Sequence, residues 1–394
     1  MSLPLKILLT LAGIAPEDGG PSRSVPALAL ALAGLGAQVE IITCEAATGQ
    51  AAPLVPDVSR VKTHLLPRHA RDRIGPVSRN EFSRATERLA RVGETVLHDN
   101  GLWLPSNHAV AAASRRLSCP RLVSPRGMLT AWSFQFRGWK KRLAWWLYQQ
   151  RDLQSAQVLH ATSAQEAAEF RQLGLKAPIA LIPNGVALPS FPGFSIRNPS
   201  SLNSKTALFL SRIHPKKGLF DLLQAWAQVR PAGWRLQVVG PSENGHRQEL
   251  ERAAQSLGLD QTVAFGEAVS DQDKWALYRG ADLFVLPSHS ENFGIVVAEA
   301  LAAGLPVITT RGTPWEDLVS HQCGWWTEIG SKPLAEALRD ATQRPDGERR
   351  AMGERGRQLV AAKYGWPGIA AQVLAVYAWM LGHGPKPETV LEKS

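Results

Sequence analysis

The sequence predicts an α/β fold built from two doubly wound parallel-sheet domains. Short apolar runs alternate with longer helix-like segments along the whole chain, the rhythm of β-α-β units. The runs fall into two series, at 5–11, 39–44, 61–66, 95–98, 121–124, 157–162 and 179–183, and at 206–211, 234–239, 262–265, 283–287 and 306–310. Between the series, residues 187–205 are rich in Pro, Ser and Asn, which reads as a linker. The expected domains are therefore 1–187 and 188–365. The apolar helical spacing from Trp366 to Leu381 reads as a terminal helix within 366–394.

At 394 residues the chain is long enough for two full cores. The run at 5–11 is short and followed by Pro16-Glu17-Asp18, so it reads as a first strand rather than a signal peptide. The Ala/Leu-rich run 25–35 is too short to cross a bilayer and carries Pro26, so no transmembrane segment is expected. Cys44, Cys119 and Cys323 are odd in number and far apart. They suit neither a disulfide framework nor a metal site, and fit a reducing, cytoplasmic compartment. The net charge of +10 is uneven: residues 1–187 carry 22 Lys and Arg against 13 Asp and Glu, whereas 188–394 are nearly balanced. A basic first half suits an anionic partner such as a lipid headgroup, a diphosphate-linked acceptor or nucleic acid.

In the first domain, strand 5–11 leads through Gly13 and Asp18-Gly19-Gly20-Pro21 into a helix. Glycines let a backbone approach a phosphate, and a helix N-terminus favours one. A dinucleotide-type Gly-x-Gly-x-x-Gly is absent there, which argues against a dehydrogenase. Strand 95–98 runs into His98-Asp99-Asn100-Gly101-Leu102-Trp103, and strand 121–124 into Ser124-Pro125-Arg126-Gly127-Met128, both read as loops beyond strand ends. His160-Ala161-Thr162-Ser163, with Glu166 following, reads as a strand end and a helix cap.

Residues 126–151 contain six Lys and Arg and no acid, interleaved with Trp132, Phe134, Phe136, Trp139, Trp145, Trp146 and Tyr148. That mixture suits a helix in a membrane interface, stacking on single-stranded nucleic acid, or a helix whose Trp face is core. The reading adopted is part core and part docking surface, with an anionic membrane as candidate partner and no nucleic acid. The Arg-rich segment 60–91 would extend that surface.

In the second domain, strand 206–211 ends in Ser211-Arg212-Ile213-His214-Pro215-Lys216-Lys217-Gly218. Gly240-Pro241-Ser242 and Phe265-Gly266-Glu267 end the next two strands. Asp271-Gln272-Asp273 reads as helix capping rather than an Asp-x-Asp metal site, and no metal is expected. Strand 283–287 is followed by Ser288-His289-Ser290-Glu291-Asn292-Phe293-Gly294, a short apolar helix from Ile295 to Ala303, and Gly304-Leu305-Pro306-Val307. Glu299 lies eight residues after Glu291, two turns into that helix, whose mouth offers free N–H groups to an anion.

The Glu291-x7-Glu299 segment, framed by Pro287-Ser288, Phe293-Gly294 and Gly304-Leu305-Pro306-Val307, resembles the signature of retaining glycosyltransferases of family 4. Arg212 to Gly218 is similar to that family's Gly-Arg-Leu-x-x-x-Lys-Gly pattern, with Ser211 in place of the first Gly. The resemblance implies the GT-B fold: two Rossmann-like domains facing a central cleft, closing about 186–205, with the last helix crossing back onto the first. It implies a metal-independent hexosyltransferase with no cofactor, acting on a UDP- or GDP-linked sugar. Arg212, Lys217 and Glu291 would be catalytic; Gly19, Gly20, Gly266, Asn292, Phe293, Gly294, Ile295 and Glu299 would join Arg212 and Lys217 in holding the donor. Glu299 would meet the ribose, and the N–H groups near Phe293 and Gly294 the diphosphate. His98, Asp99, Asn100 and Arg126 would meet acceptor or donor sugar; Asn100 stands where related transferases often carry a second His. The implied acceptor is a saccharide, free or lipid-linked, of an envelope polysaccharide or lipopolysaccharide, placing the protein in the cytoplasm or on the inner membrane face. A GT-B sugar-nucleotide epimerase and a non-catalytic membrane- or nucleic-acid-binding module are the alternatives.

Overall fold

In the computed structural model, the described residues are 5–47, 49–67, 76–130, 138–188, 204–242 and 245–392. The chain divides into unit 1, Met1–Gly185 with Trp366–Ser394, and unit 2, Val186–Gly365.

Unit 1 carries strands β1 (Lys6–Thr10), β2 (Gln38–Cys44), β3 (Lys62–Leu66), β4 (Thr95–Asn100), β5 (Arg121–Ser124), β6 (Val158–Ala161) and β7 (Ile179–Leu181). Their order is β7-β6-β5-β4-β1-β2-β3, and every pair in it is parallel. Val390–Leu391 adds an antiparallel edge on β7. The order reverses between β1 and β4, the topological switch point of a doubly wound sheet. The strands are near-continuous apolar runs because both faces are covered. Ile7, Leu9, Val39, Ile41 and Val96 pack with Val25, Leu28 and Leu32 of the helix Pro21–Gly34 and with Ile369, Val373 and Tyr377 of the helix Trp366–Met380.

Unit 2 carries β8 (Lys205–Leu210), β9 (Trp234–Val239), β10 (Val263–Gly266), β11 (Leu283–Leu286), β12 (Val307–Thr310) and β13 (Gly324–Thr327). The order is β10-β9-β8-β11-β12-β13, all parallel, so the switch point lies between β8 and β11. Trp226, Tyr278, Trp315 and Phe284 are fully buried in one core.

The two doubly wound sheets are as the sequence predicts. Beyond single-residue shifts at strand ends, five points differ. β4 extends through Asn100, because Asp99 and Asn100 are buried and bonded inside the unit rather than exposed in a loop. β7 stops at Leu181, not 183. β13 and Val390–Leu391, short edge strands with little apolar alternation, have no counterpart among the expected strands. The terminal helix stops at Met380, where Gly382 takes a positive φ of 75°, so it does not run to 394.

Candidate active site

In unit 2 the ends of β8 and β11 are pressed together. After β8 the chain turns through the single turn Pro215–Lys217, opened by His214, whose ring accepts the Lys216 N–H at 3.1 Å. Gly218 closes it with a φ of 67°. A Cβ there would sit 2.1 Å from the Pro287 carbonyl, so only glycine lets the two loops approach. The Lys216 carbonyl accepts the His289 N–H at 2.9 Å, and the His289 ring meets Asp221 at 2.9 Å.

This brings Lys217 onto Glu291. Lys217 Nζ donates to Glu291 Oε1 in a buried ion pair, and Ser288 Oγ donates to the same oxygen at 2.7 Å. Glu291 Oε2 keeps no protein partner among the described residues. Burial alone would raise the Glu291 pKa, but the charge and hydrogen bond of Lys217, with Ser288 and the Lys216 charge, hold it below the ordinary value. The carboxylate is thus ionised with one oxygen anchored and one available. Arg212 is exposed just past β8.

Beyond Glu291, Gly294 adopts the left-handed conformation (φ 77°) and opens the helix Ile295–Ala302. N–H groups in a first helical turn have no carbonyl a turn earlier to meet. The Phe293 ring is core: it is 4% exposed and packs on Trp315 and Tyr364, and its carbonyl accepts Trp315 Nε1 at 2.6 Å. Its side chain therefore fixes the loop, and only its main chain is placed to meet a ligand. Glu299 lies on the buried side of the helix, where Lys274 donates to Oε1 at 2.8 Å and Tyr278 to Oε2 at 3.0 Å. Lys274 also meets Asp271 at 3.1 Å. Burial would lower the Lys274 pKa, yet Glu299 and Asp271 outweigh it and raise it. Ser270 accepts the Asp273 N–H and donates to its carboxylate, so Asp271 and Asp273 are occupied at a helix start. Gly266 ends β10, with its carbonyl 3.5 Å from the Gly240 N–H.

In unit 1, Gly19 (φ 91°) and Gly20 precede the helix Pro21–Gly34, and a Cβ on either would meet nothing within 4 Å. His98, predicted to face a ligand from a loop, is instead fully buried on β4. A chain of hydrogen bonds runs through it: Tyr377 Oη to His98 Nδ1 at 2.5 Å, His98 Nε2 to Ser124 Oγ at 2.7 Å, Ser124 Oγ to His160 Nδ1 at 2.6 Å, and His160 Nε2 to the Ile182 carbonyl at 2.7 Å. The carbonyl can only accept, so for neutral rings each proton points from Tyr377 toward Ile182. Burial, with His160 and Arg126 nearby, holds His98 well below the usual imidazole range; burial and Arg126 bring His160 to about 3. Both ring nitrogens of His98 are engaged, so it acts here by positioning β4, β5 and the terminal helix. Asp99 is likewise buried, accepting from Thr10 at 3.0 Å and Asn107 at 2.8 Å, and burial raises it to about 6 despite Arg121. Asn100, the last residue of β4, accepts from Arg126, just past β5, at 2.8 Å.

Several supports carry no local signal in the sequence: Ser288, Tyr278, Asn184, Tyr377 and the pairing of Lys274. Tyr278 lies on the helix Asp273–Gly280 one turn after Lys274, a spacing that puts both on one face.

A profile described as Glycosyl transferase 4-like domain matches residues 19–185, and one described as Glycosyl transferases group 1 matches residues 194–359. The sucrose-phosphate synthase of Thermosynechococcus elongatus superposes with a TM-score of 0.76 at 21% identity, over 96% of this chain and 100% of that one. HepE of Anabaena, in complex with UDP and glucose, gives 0.73 at 18%, over 95% and 100%. The architecture is that of the GT-B glycosyltransferases. The D-inositol 3-phosphate glycosyltransferase of Corynebacterium urealyticum is 30% identical over 248 residues, 58% of either chain. The mannosylfructose-phosphate synthase of Agrobacterium fabrum is 32% identical over 239 residues, 56% of this chain and 52% of that protein. The chain spans little more than half the length of these curated relatives. It belongs to the group 1, family 4-like glycosyltransferases.

Proposed function

We propose that the protein transfers a sugar, with retention of anomeric configuration and without a metal ion, from a nucleoside diphosphate sugar to a saccharide hydroxyl. The observation that carries this is the cluster at the unit 2 switch point. Arg212 and Lys217 stand at the end of β8, Glu291 is anchored by Lys217 and Ser288, and the helix Ile295–Ala302 opens just beyond. Breaking the sugar–phosphate bond leaves an extra negative charge on the diphosphate, and fixed cations with helix N–H groups stabilise it as it forms. Glu291 Oε2 and the remaining lone pairs of Glu299 are acceptors for sugar and ribose hydroxyls. The acceptor hydroxyl attacks the anomeric carbon on the leaving-group face, and its proton passes to the departing phosphate oxygen. Unit 1 is read as the acceptor-recognising half, serving a free or lipid-linked saccharide of an envelope polysaccharide. HepE's complex with UDP and glucose favours a UDP-sugar as donor.

Calorimetric titration with UDP, GDP, ADP and dTDP, without and with magnesium, tests the donor site. Micromolar binding of one nucleotide, indifferent to magnesium and lost in Arg212→Ala, is expected. No binding of any of the four sinks the reading. Loss of that Arg should lower kcat/KM by about 2–4 kcal/mol of transition-state stabilisation.

A second feature supports peripheral attachment to an anionic bilayer. No helix among the described residues is long and apolar enough to cross a membrane. Yet Trp139, Leu143, Trp146 and Leu147 are 70%, 54%, 82% and 70% exposed, at helical spacing beside Lys140 and Arg142. Trp145 packs instead on the unit 1 core. Trp132, Phe134, Phe136 and Arg137 lie outside the described residues, as do 68–75 of the Arg-rich segment 60–91. An apolar stripe with cationic flanks suits an interface rich in anionic lipid. Co-sedimentation with phosphatidylglycerol vesicles, abolished in Trp146→Ser/Leu147→Ser and weak with neutral vesicles, is expected; equal sedimentation of that variant overturns it.

A further inference from the structure

Asn100 ends β4, beside β1, at the switch point of the unit 1 sheet. Its Nδ2 donates to the carbonyls of Thr10 at 3.3 Å and His98 at 3.1 Å. That fixes the amide with Oδ1 toward Arg126, accepting from Nε at 3.2 Å and Nη2 at 2.8 Å. Asn184 Oδ1 accepts from Nη1 at 2.6 Å. The guanidinium is therefore gripped by two neutral amides.

The backbone beneath is strained. Arg126 has a φ of 56°, in the left-handed region that side chains other than glycine rarely adopt, and Gly127 follows at 75°. Glu166 holds the turn, its Oε1 accepting the Gly127 N–H at 2.7 Å and its Oε2 accepting from Thr162. Glu166 acts on Arg126 through its field but makes no ion pair with it, and Arg126 has no ion pair among the described residues. Burial lowers the guanidinium to about 10, so it stays charged at neutral pH, and His98 and His160 beside it are neutral. A tie between loops needs neither a charge nor a positive φ. A partly desolvated cation without a carboxylate is costly unless something anionic completes it. Three of the five N–H groups meet amides, which leaves one on each terminal nitrogen. Those remaining donors are available to the oxygens of an oxyanion.

We infer that Arg126 is the receptor for an oxyanion, a phosphate or a carboxylate, carried by the saccharide acceptor. The inference deepens the reading of unit 1 as the acceptor half and rests on it.

The test uses the full chain carrying Arg212→Ala, so that phosphates do not report on the unit 2 site. It is titrated with glucose 6-phosphate, glucuronate and glucose. One anionic sugar at least should bind more tightly than glucose, and adding Arg126→Gln should weaken it by about tenfold or more while leaving glucose unchanged. Preference for glucose 6-phosphate identifies a phosphate as the group; preference for glucuronate identifies a carboxylate. Anionic sugars no tighter than glucose, or equally tight in Arg126→Gln, overturn the inference. Phenylglyoxal labelling of the wild-type protein gives a readout that does not depend on the variant folding. Inorganic phosphate or glucuronate should slow labelling of the Arg126 peptide where glucose does not, and unchanged labelling counts against it. UDP binding by the wild type is scored separately. Its loss with anion binding intact fails the transferase reading alone, and the converse result fails the receptor alone.

Discussion

Replacing Lys217 with methionine isolates the pair on which the unit 2 site is built. The side chains of Lys217 and Glu291 are only 10% and 14% exposed. Methionine keeps the length of the stem and removes the charge. Glu291 would then stay buried with the Ser288 hydroxyl at 2.7 Å and the more distant charge of Lys216. Breaking a buried pair from one side costs about 3–5 kcal/mol, and the surviving Ser288 bond argues for the lower end, about 3. For a unit of this size that lowers the melting temperature by roughly 6–12 °C. Scanning calorimetry of the unit 2 transition, identified by its shift with bound nucleotide, measures it. The double variant Lys217→Met/Glu291→Gln should recover half or more of the loss, because no unpaired charge remains buried. The pH dependence fixes the sign. The depressed pKa of Glu291 stabilises the fold above the unfolded value, about 4.3, and the contribution is lost as pH falls through the lower folded value. In the variant, only Ser288 and the Lys216 charge oppose burial, so that pKa rises. The gap between the two proteins is therefore widest near neutrality and closes in acid. A gap under about 1 kcal/mol at pH 7, or one as wide at pH 3.5 as at pH 7, refutes the reasoning.

Three further substitutions test the scaffold. Gly218→Ala combines a φ of 67° with a Cβ 2.1 Å from the Pro287 carbonyl, so it should cost at least about 2 kcal/mol and weaken nucleotide binding by displacing Lys217. Gly19→Ala, at a φ of 91° in open space, should cost nearer 1 kcal/mol; urea titration of both variants separates steric from conformational strain. Tyr377→Phe leaves His98 Nδ1 without its donor inside a buried chain, and should lower unit 1 stability by about 1–3 kcal/mol in calorimetry.

The parallel sheets were legible because buried strands in such folds are apolar throughout and sit between amphipathic helices. The second-domain loops were legible as well, since Arg212, Lys217, Gly218, Glu291 and Gly294 stand at strand ends and helix starts, where local signals are strongest. What periodicity could not show was which polar residues turn inward. Thr95 to Asn100 reads as a short strand ending at His98 and a polar loop, yet all six residues are buried on one strand, because His98, Asp99 and Asn100 find partners on β1, on β5 and in the helices Pro105–Leu117 and Trp366–Met380. Those partners lie up to 279 residues away along the chain. Ser288 and Tyr278 were hidden in the same way: each looks ordinary until the fold places a carboxylate against it.

The three candidate charged groups are supported differently, and the difference follows from what each would have to do. Glu291 and Glu299 are buried acids that would accept hydroxyl donors, so they must keep lone pairs to spare. Each is held by one lysine and one hydroxyl, Lys217 with Ser288 and Lys274 with Tyr278. A single lysine neutralises a carboxylate without covering it, whereas a bidentate arginine would take both oxygens. Arg126 has the opposite requirement, because a cation kept for an anion must not be neutralised beforehand. Amide oxygens orient it without cancelling its charge, and the nearest acid, Glu166, is tied to backbone N–H groups instead. An Asn184→Asp or Asn100→Asp change would supply the missing carboxylate. It should steady the loop while abolishing selectivity for anionic sugars over glucose, an outcome that a purely structural arginine would not produce.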